Sequence, residues 1–374
     1  MDEAGPEESG PAATDRLRLL RVIPEVRTSN FEVDGTPRAY AETISYIHRK
    51  SDFDAAALPS NVIQLSHLGI VRKILSEHWD IVELPEPLWL RALPLSVVAG
   101  VAARLKVGRQ SRPWVTTYTI ENSPFEALAS GVLQRVKPLA RAAIRCISRT
   151  FYDQLIYGSD ASRLVYAKNG FGPDGGVEAV FPKMQKPCDG CALAEKEKRI
   201  LFLGVLENRK GVLSLLRAWA TTGLGEEGWR LAIAGSGPLK TAVEASARDH
   251  ESIEYMGMLD RASTHRELGR AAVVCLPSRR DGRWREQIGL PVVEGLSHGC
   301  TILATSDSGL APWLKQHGHQ VVPHDSTVEQ LANSLISVCK TRRVPAQVLE
   351  DLPREDGVIR ARRYMARTAV EGRC

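Results

Sequence analysis

The sequence predicts an α/β protein made of two parallel-sheet halves, and three observations carry that expectation. From Arg199 onward, short apolar runs alternate with helical patterns. The N-terminal half repeats the alternation less cleanly. At 374 residues each half is long enough to bury a core of its own. Strand–helix alternation of this kind gives a parallel sheet covered on both faces, whose strands read as near-continuous apolar runs.

The elements follow in order. Residues 1–16 are acidic and lack an apolar stretch, so they read as a disordered tail and not as a signal peptide. Leu17–Pro24 is a candidate first strand, followed by Asn61–Leu65, Asp80–Leu84, Trp114–Thr119, Leu155–Tyr157 and Val177–Phe181. Pro138 opens a helical pattern carrying Arg141, Arg145 and Arg149 beside apolar residues. Such a stripe is either a solvated helix face or a peripheral contact with an anionic membrane. The polar run 186–198 is an interdomain linker.

In the second half Ile200–Gly204 is a strand, followed by Val212, Leu215, Leu216 and Trp219 at helical spacing. Arg230–Gly235 comes next, and Pro238 opens another helix. Ile253–Gly257, Val273–Pro277, Thr301–Thr305 and Gln320–Pro323 complete the set. Ser326-x-x-Glu329 has the spacing of a capping box ahead of Leu331, Leu335 and Val338. The expected domains are 17–185 and 199–345, with 346–374 a helical segment able to pack back across the first domain.

The stretch with the most chemistry is Glu286-Gln-Ile-Gly-Leu-Pro-Val-Val-Glu294. Pro291 suits the first turn of a helix, where its missing N–H is no loss. Glu294 would then sit in that turn, beside unpaired N–H groups and the positive end of the dipole. Glu286 would hang in the preceding loop. Such a corner suits a nucleotide-sugar: N–H groups take phosphate oxygens and carboxylates take hydroxyls in pairs. The plainer reading is two solvated glutamates beside a helix cap. Ligands of open parallel sheets bind at the carboxyl ends of the strands, which is where this loop falls.

Five segments in register resemble retaining glycosyltransferases of the GT-B fold, family 4 type. They are Leu203-Gly-Val-Leu-Glu-Asn-Arg-Lys-Gly211, Ala234-Gly-Ser-Gly-Pro238, Leu276-Pro-Ser-Arg279, Glu286-x7-Glu294 and Thr305-x3-Gly309. The resemblance spans roughly residues 195–340 and implies two Rossmann-like domains facing a cleft. The second domain would bind a nucleotide-diphosphate sugar and the first an acceptor. It implies that Lys210 meets the diphosphate and that Gly235 and Gly237 let backbone approach the nucleotide. Glu286 would contact the transferred sugar, Glu294 the ribose, and Gly289 and Leu290 would offer N–H groups to the phosphates. Trp89, in the segment after the Asp80–Leu84 strand, can stack on an acceptor sugar or simply pack.

Three features depart from that family. Val205 stands where an arginine is usual, which removes one cation from the departing diphosphate. Arg209, or Arg279, Arg280, Arg283 and Arg285 in the loop before Glu286, are substitutes, with Arg279 placed at the donor site. No Gly-Gly loop follows the first strand. Where a histidine often follows the fourth N-terminal strand, Glu121 or Asn122 takes the place.

Composition bounds the alternatives. A net charge of +5 permits a membrane surface without demanding one, and nothing resembles a nucleic-acid module. No apolar run reaches the length of a membrane span. Seven scattered cysteines fit reduced thiols and a cytoplasmic setting. Cys188-x-x-Cys191 is half a zinc site or a redox pair by spacing, but no second CxxC or CxxH follows. His250 and Cys275 are remote, so the pair reads as two exposed linker thiols.

The expectation is a metal-independent transferase with no cofactor, moving sugar from a nucleotide-diphosphate donor to a carbohydrate or lipid-linked acceptor, or to a small molecule. The competing classes are an inactive glycosyltransferase-like scaffold and a Rossmann dehydrogenase. The latter lacks a convincing third glycine and acidic partner after Gly235-Ser-Gly237.

Overall fold

The computed structural model describes residues 17–26, 40–49, 59–106, 112–128, 135–190, 195–282 and 284–372. The N-terminal domain is built on β1 (Leu17–Val26), β2 (Tyr40–Arg49), β3 (Val62–Gln64), β4 (Ile81–Glu83), β5 (Trp114–Thr119), β6 (Gln154–Tyr157) and β7 (Val177–Val180). Between them lie α1 (His67–Ser76), α2 (Leu93–Leu105), α3 (Phe125–Leu128), α4 (Lys137–Phe151) and α5 (Asp160–Asn169). The strands form one parallel sheet in the order β3-β2-β1-β4-β5-β6-β7.

The C-terminal domain alternates β8 (Glu197–Leu203), α6 (Val212–Trp219), β9 (Arg230–Ala234), α7 (Lys240–Asp249), β10 (Ile253–Gly257), α8 (Arg261–Arg270) and β11 (Ala271–Leu276). It continues with α9 (Leu290–Ser297), β12 (Thr301–Thr305), α10 (Ala311–Gln316), β13 (Gln320–Val322) and α11 (Val328–Lys340). Its parallel sheet runs β10-β9-β8-β11-β12-β13. Both sheets therefore reverse direction beside their first strand, and these two switch points are where ligands of such folds enter.

Burial on both faces explains the continuous apolar runs. Along β8, Ile200 and Phe202 join the core beneath α6 and α11, while Leu201 and Leu203 join the core beneath α9 and α10. Successive side chains point to opposite faces, so a strand covered twice needs apolar residues at every position. Trp219 closes the first of these cores, its indole N–H donating to Ser252 Oγ at 3.0 Å.

After α12 (Pro345–Glu350) the chain returns to the first domain. Helix α13 (Gly357–Glu371) lays Ala366 and Ala369 against Leu19, Tyr40 and Ile81, and Ala361 and Met365 against Ile156. The Gln154 amide donates to Thr368 Oγ1 at 2.8 Å. The outgoing and returning strands of chain run side by side, Lys186 N–H donating to Asp356 Oδ1 at 2.7 Å.

Several local expectations shift. β2 was not legible, because Glu42, Thr43 and Ser45 interrupt its apolar residues. β8 starts at Glu197, inside the segment expected as linker. The capping box sits one residue later than expected, on Thr327 and Gln330, since Thr327 adopts the extended conformation a cap requires. Helix α7 starts at Lys240, two residues beyond Pro238.

Candidate active site

Two loops flank the C-terminal switch point, one after β8 and one after β11, and each supplies one half of a buried ion pair. Asn208–Lys210 forms a single 3₁₀ turn that aims Lys210 inward. Its Nζ donates to Glu286 Oε2 at 2.6 Å, and Ser278 Oγ donates to the same oxygen at 2.9 Å. Both side chains are largely shielded, at 15% and 10% exposure, so the pair is screened less than a surface contact would be. Thr305 in turn fixes Ser278 by donating to its carbonyl oxygen at 2.8 Å.

Trp284 stacks over the cation side of this pair. The Arg209 guanidinium lies 4.4 Å and Lys210 Nζ 4.9 Å from its ring centroid. Neighbouring side chains point apart in extended backbone, but the 3₁₀ turn lets Arg209 and Lys210 converge on one ring. Arg209 is also bonded to Glu207 Oε2 at 2.6 Å. A cation therefore stands beside Lys210 although Val205 carries none.

The other arginines are engaged elsewhere. Arg279 turns away, donating to Ser326 O at 3.0 Å, while its backbone N–H donates to Arg209 O at 2.7 Å; it braces the two loops to each other. Arg280 forms a two-pronged contact with Asp307 at 3.1 and 2.8 Å, and Arg285 stands 3.9 Å from the same carboxylate. Burial alone would raise the pKa of Asp307, but the Arg280 hydrogen bond and the two arginine charges outweigh it, and the value falls below the usual one. Arg283 lies outside the described residues.

Helix α9 begins at Leu290, with Pro291 in its opening turn. The N–H groups of Gly289 and Leu290 have no intrahelical partner at such a start. Gly289 needs its φ of 82°, and a Cβ there would meet Leu276 Cδ2 at 2.7 Å. Glu294 falls in the second turn, not the first, because the helix begins one residue before the proline. Arg261 approaches it at 3.7 Å. The glycines of the β9 loop are also required by packing. A Cβ on Gly235 would meet Gly204 O at 1.8 Å, and one on Gly237 would meet Leu206 O at 2.7 Å. They let the loops after β8 and β9 pack backbone to backbone.

The N-terminal domain reaches this site through Glu121 and Asn122. Asn122 Nδ2 donates to Asp307 O at 3.1 Å and to Glu286 O at 3.3 Å. Gln287 Nε2 donates to Glu121 Oε2 at 2.8 Å. Beside these bridges an interdomain cavity of about 1050 Å³ runs between Arg21, Glu86, Trp89, Leu290, Glu294 and Arg362. Thus Leu290 and Glu294 face the cavity, while Lys210 and Glu286 lie outside its lining.

Glu86 is the cavity residue that the sequence reading passed over. It accepts from the Glu121 N–H at 3.1 Å, the Ile120 N–H at 3.2 Å and the Tyr166 hydroxyl at 3.1 Å. Burial, aided by the nearby Glu121 charge, pushes its pKa up to about 8, so its carboxyl is largely protonated at neutral pH. Its one sequence signal is position: it follows β4, which borders the N-terminal switch point. Across the domain, the basic stripe on α4 is tied down. Arg141 meets Glu126 at 2.8 Å, Arg145 donates to Asn169 O at 2.8 Å, and Arg149 meets Asp174 at 3.1 Å. No helix among the described residues is long and apolar enough to cross a membrane.

Cys188 is not the exposed thiol expected of a linker. It is half-buried, its backbone N–H donates to Ser297 O at 2.8 Å, and its Sγ lies 3.9 Å from His265 Nδ1. Cys191 lies outside the described residues.

Residues 197–341 match the family described as glycosyl transferases group 1. The chain carries a group 1 glycosyltransferase domain. The match spans the whole alternation from β8 to α11, and with it the ion pair, the Trp284 loop and the Glu294 helix. No curated protein sequence matches the chain. Solved structures do, over nearly its full length. The Anabaena HepE protein in complex with UDP aligns with a TM-score of 0.67 at 12% identity, covering 95% of this chain and 100% of that one. The lipopolysaccharide outer core galactosyltransferase WaaB aligns at 0.59 and 14%, covering 96% and 100%. A glycosyltransferase from Rickettsia africae aligns at 0.59 and 12%, covering 95% and 99%. At such identities the likeness speaks for the fold, which is GT-B: two Rossmann-like domains across a cleft.

Proposed function

We propose that this glycosyltransferase moves a sugar from a nucleotide-diphosphate donor to an acceptor hydroxyl with retention of configuration. The observation that supports it most is the Lys210–Glu286 pair, held at 2.6 Å by the two loops flanking the switch point. A cation and a carboxylate are stored together where a diphosphate and a sugar would separate them. On donor binding, Lys210 exchanges Glu286 for a phosphate oxygen, and the released carboxylate takes sugar hydroxyls.

The departing diphosphate gains negative charge as the glycosidic bond breaks. Lys210, Arg209 and the N–H groups at the start of α9 stabilise that charge, which is the role a divalent ion plays elsewhere. No metal is needed for the transfer in this scheme. Glu294 binds the ribose, and the acceptor enters through the cavity beside Glu86 and Trp89, reached from the N-terminal domain. Closure through Asn122 and Gln287 excludes water and limits hydrolysis of the donor. Uridine diphosphate is the first nucleotide to test, since the HepE structure was determined with it.

The direct test incubates the purified chain with uridine, guanosine and adenosine diphosphate sugars and follows nucleotide release and the anomeric signal by NMR. Release of one nucleoside diphosphate with a product of unchanged anomeric configuration supports the proposal; inversion sinks the retaining assignment. Val205, 43% exposed at the position of the usual arginine, favours a second reading, a binding scaffold without turnover. Ligand binding with no nucleotide release would favour that alternative.

A further inference from the structure

Three side chains from separate parts of the sequence converge beside the interdomain crossover. Cys188 Sγ, His265 Nδ1 and His298 Nε2 all lie within 4.8 Å of one another. His298 Nε2 stands 3.1 Å from His265 Nδ1, and Cys188 Sγ 3.9 Å from that same nitrogen. Cys188 comes from the chain passing between the domains, His265 from α8 and His298 from the end of α9.

The two separations at His265 Nδ1, 3.1 and 3.9 Å, bracket the spacing of ligands around a tetrahedral ion. Bonds of about 2.3 Å to thiolate and about 2.0–2.1 Å to imidazole, at tetrahedral angles, put donor atoms roughly 3.3–3.6 Å apart. The tautomer is also set. His298 Nδ1 lies 2.7 Å from Glu294 O, and a carbonyl oxygen can only accept, so Nδ1 carries the hydrogen and the Nε2 lone pair faces the cluster. Such a backbone partner on the far nitrogen is the usual outer support of a metal-bound histidine. The Cys188 backbone is pinned by Ser297 O, one residue from His298. Within the cluster the two imidazoles share one N–H···N contact and the thiol stands 3.9 Å from His265 Nδ1.

We propose that Cys188, His265 and His298 bind a divalent zinc-type ion. One thiolate and two imidazoles are a borderline-soft donor set that suits zinc better than magnesium or calcium. Binding displaces the Cys188 thiol proton to solvent and leaves a fourth position for water or another donor. Cys191 is not required. The ion ties the crossover segment to α8 and to the end of the helix that carries Glu294, so its role is to fix the hinge. This inference stands whether or not the donor chemistry above is right.

The test is the metal content of the full chain after purification and dialysis, beside Cys188→Ser, His265→Gln and, as a control, His250→Gln. We expect about one zinc per chain in the native protein and the control, and a loss of zinc affinity of at least about 100-fold in the ligand variants, since changing mere outer-shell partners costs about 10–100-fold. In the native chain cobalt(II) should give the intense visible bands of a tetrahedral site and a thiolate charge-transfer band, the latter absent from Cys188→Ser. A folded native chain with neither zinc nor cobalt bands overturns the proposal. So does stoichiometric zinc of unchanged affinity in Cys188→Ser and His265→Gln.

Discussion

Lys210 and Glu286 are 76 positions apart in the sequence and 2.6 Å apart in the folded chain. Each sits at the end of a loop leaving a central strand of the C-terminal sheet, and the strand order β8-β11 brings those loops together. The pair is therefore a product of topology. Its partners Ser278 and Trp284 both come from the loop after β11, which makes the arrangement local to the switch point.

Replacing Lys210 with alanine should lower the transfer rate by about 10²–10³-fold, the loss typical of removing one charge-stabilising donor. Glu286→Gln should leave diphosphate affinity nearly intact but impair turnover, because in the proposed scheme Glu286 touches the sugar and not the phosphates. Steady-state kinetics beside nucleotide titration separates the two. Equal kinetic losses in both variants, with unchanged diphosphate binding in each, would contradict the division of roles.

Glu86 supplies a pH dependence. Its folded pKa of about 8 lies above the ordinary 4.5, with burial as the main cause. Above the unfolded value the folded state holds a proton that the unfolded chain releases, so stability falls as pH rises from about 4.5 to about 8. Glu86→Gln removes that titration, while its amide oxygen still accepts from the Ile120 and Glu121 N–H groups. The variant's advantage in denaturation midpoint should widen from pH 5 to pH 8.5. Parallel pH profiles would show that Glu86 is not the group responsible.

The returning helix α13 is held by charge as well as by packing. Arg21 reaches Glu42 and Glu83 at 3.0 Å each, and Arg362 approaches the same two carboxylates at 3.7 Å each. All four side chains are at most 12% exposed. Arg362→Met takes one cation away from two buried carboxylates, which should cost about 3–5 kcal/mol. Urea denaturation checks this, and a loss under about 1 kcal/mol would mean that the remaining contacts balance the pair without Arg362.

The alternation of β8 through α11 was legible because each strand is covered twice and so carries apolar residues throughout. Pro291 was legible as a helix opener for a related reason: the short spacing from Glu286 to Glu294 lies within one loop and the helix after it. What failed were features that depend on distant neighbours. β2 buries Ser45 and Tyr46 among other strands and carries no pattern of its own. Arg279 donates to a carbonyl oxygen from Ser326, 47 residues away, a partner that the loop sequence does not announce. Cys188 looked like half of an unfinished motif, and its neighbours His265 and His298 lie 77 or more residues on. Glu86 gave no compositional signal; its importance comes from the burial that raises its pKa.

The central claim is that the corner formed by Lys210, Glu286 and α9 binds a nucleotide-diphosphate sugar. The most direct measurement is thermal stabilisation of the purified chain by uridine, guanosine and adenosine diphosphates and their sugars, repeated on Glu294→Ala and Lys210→Ala. A ligand that binds only the folded state raises Tm, by an amount equivalent to about 2.7 kcal/mol at a hundred times its Kd. Stabilisation by one base, weakened in both variants, is the expected result. No stabilisation by any nucleotide, or the same stabilisation in native chain and variants, would contradict the account.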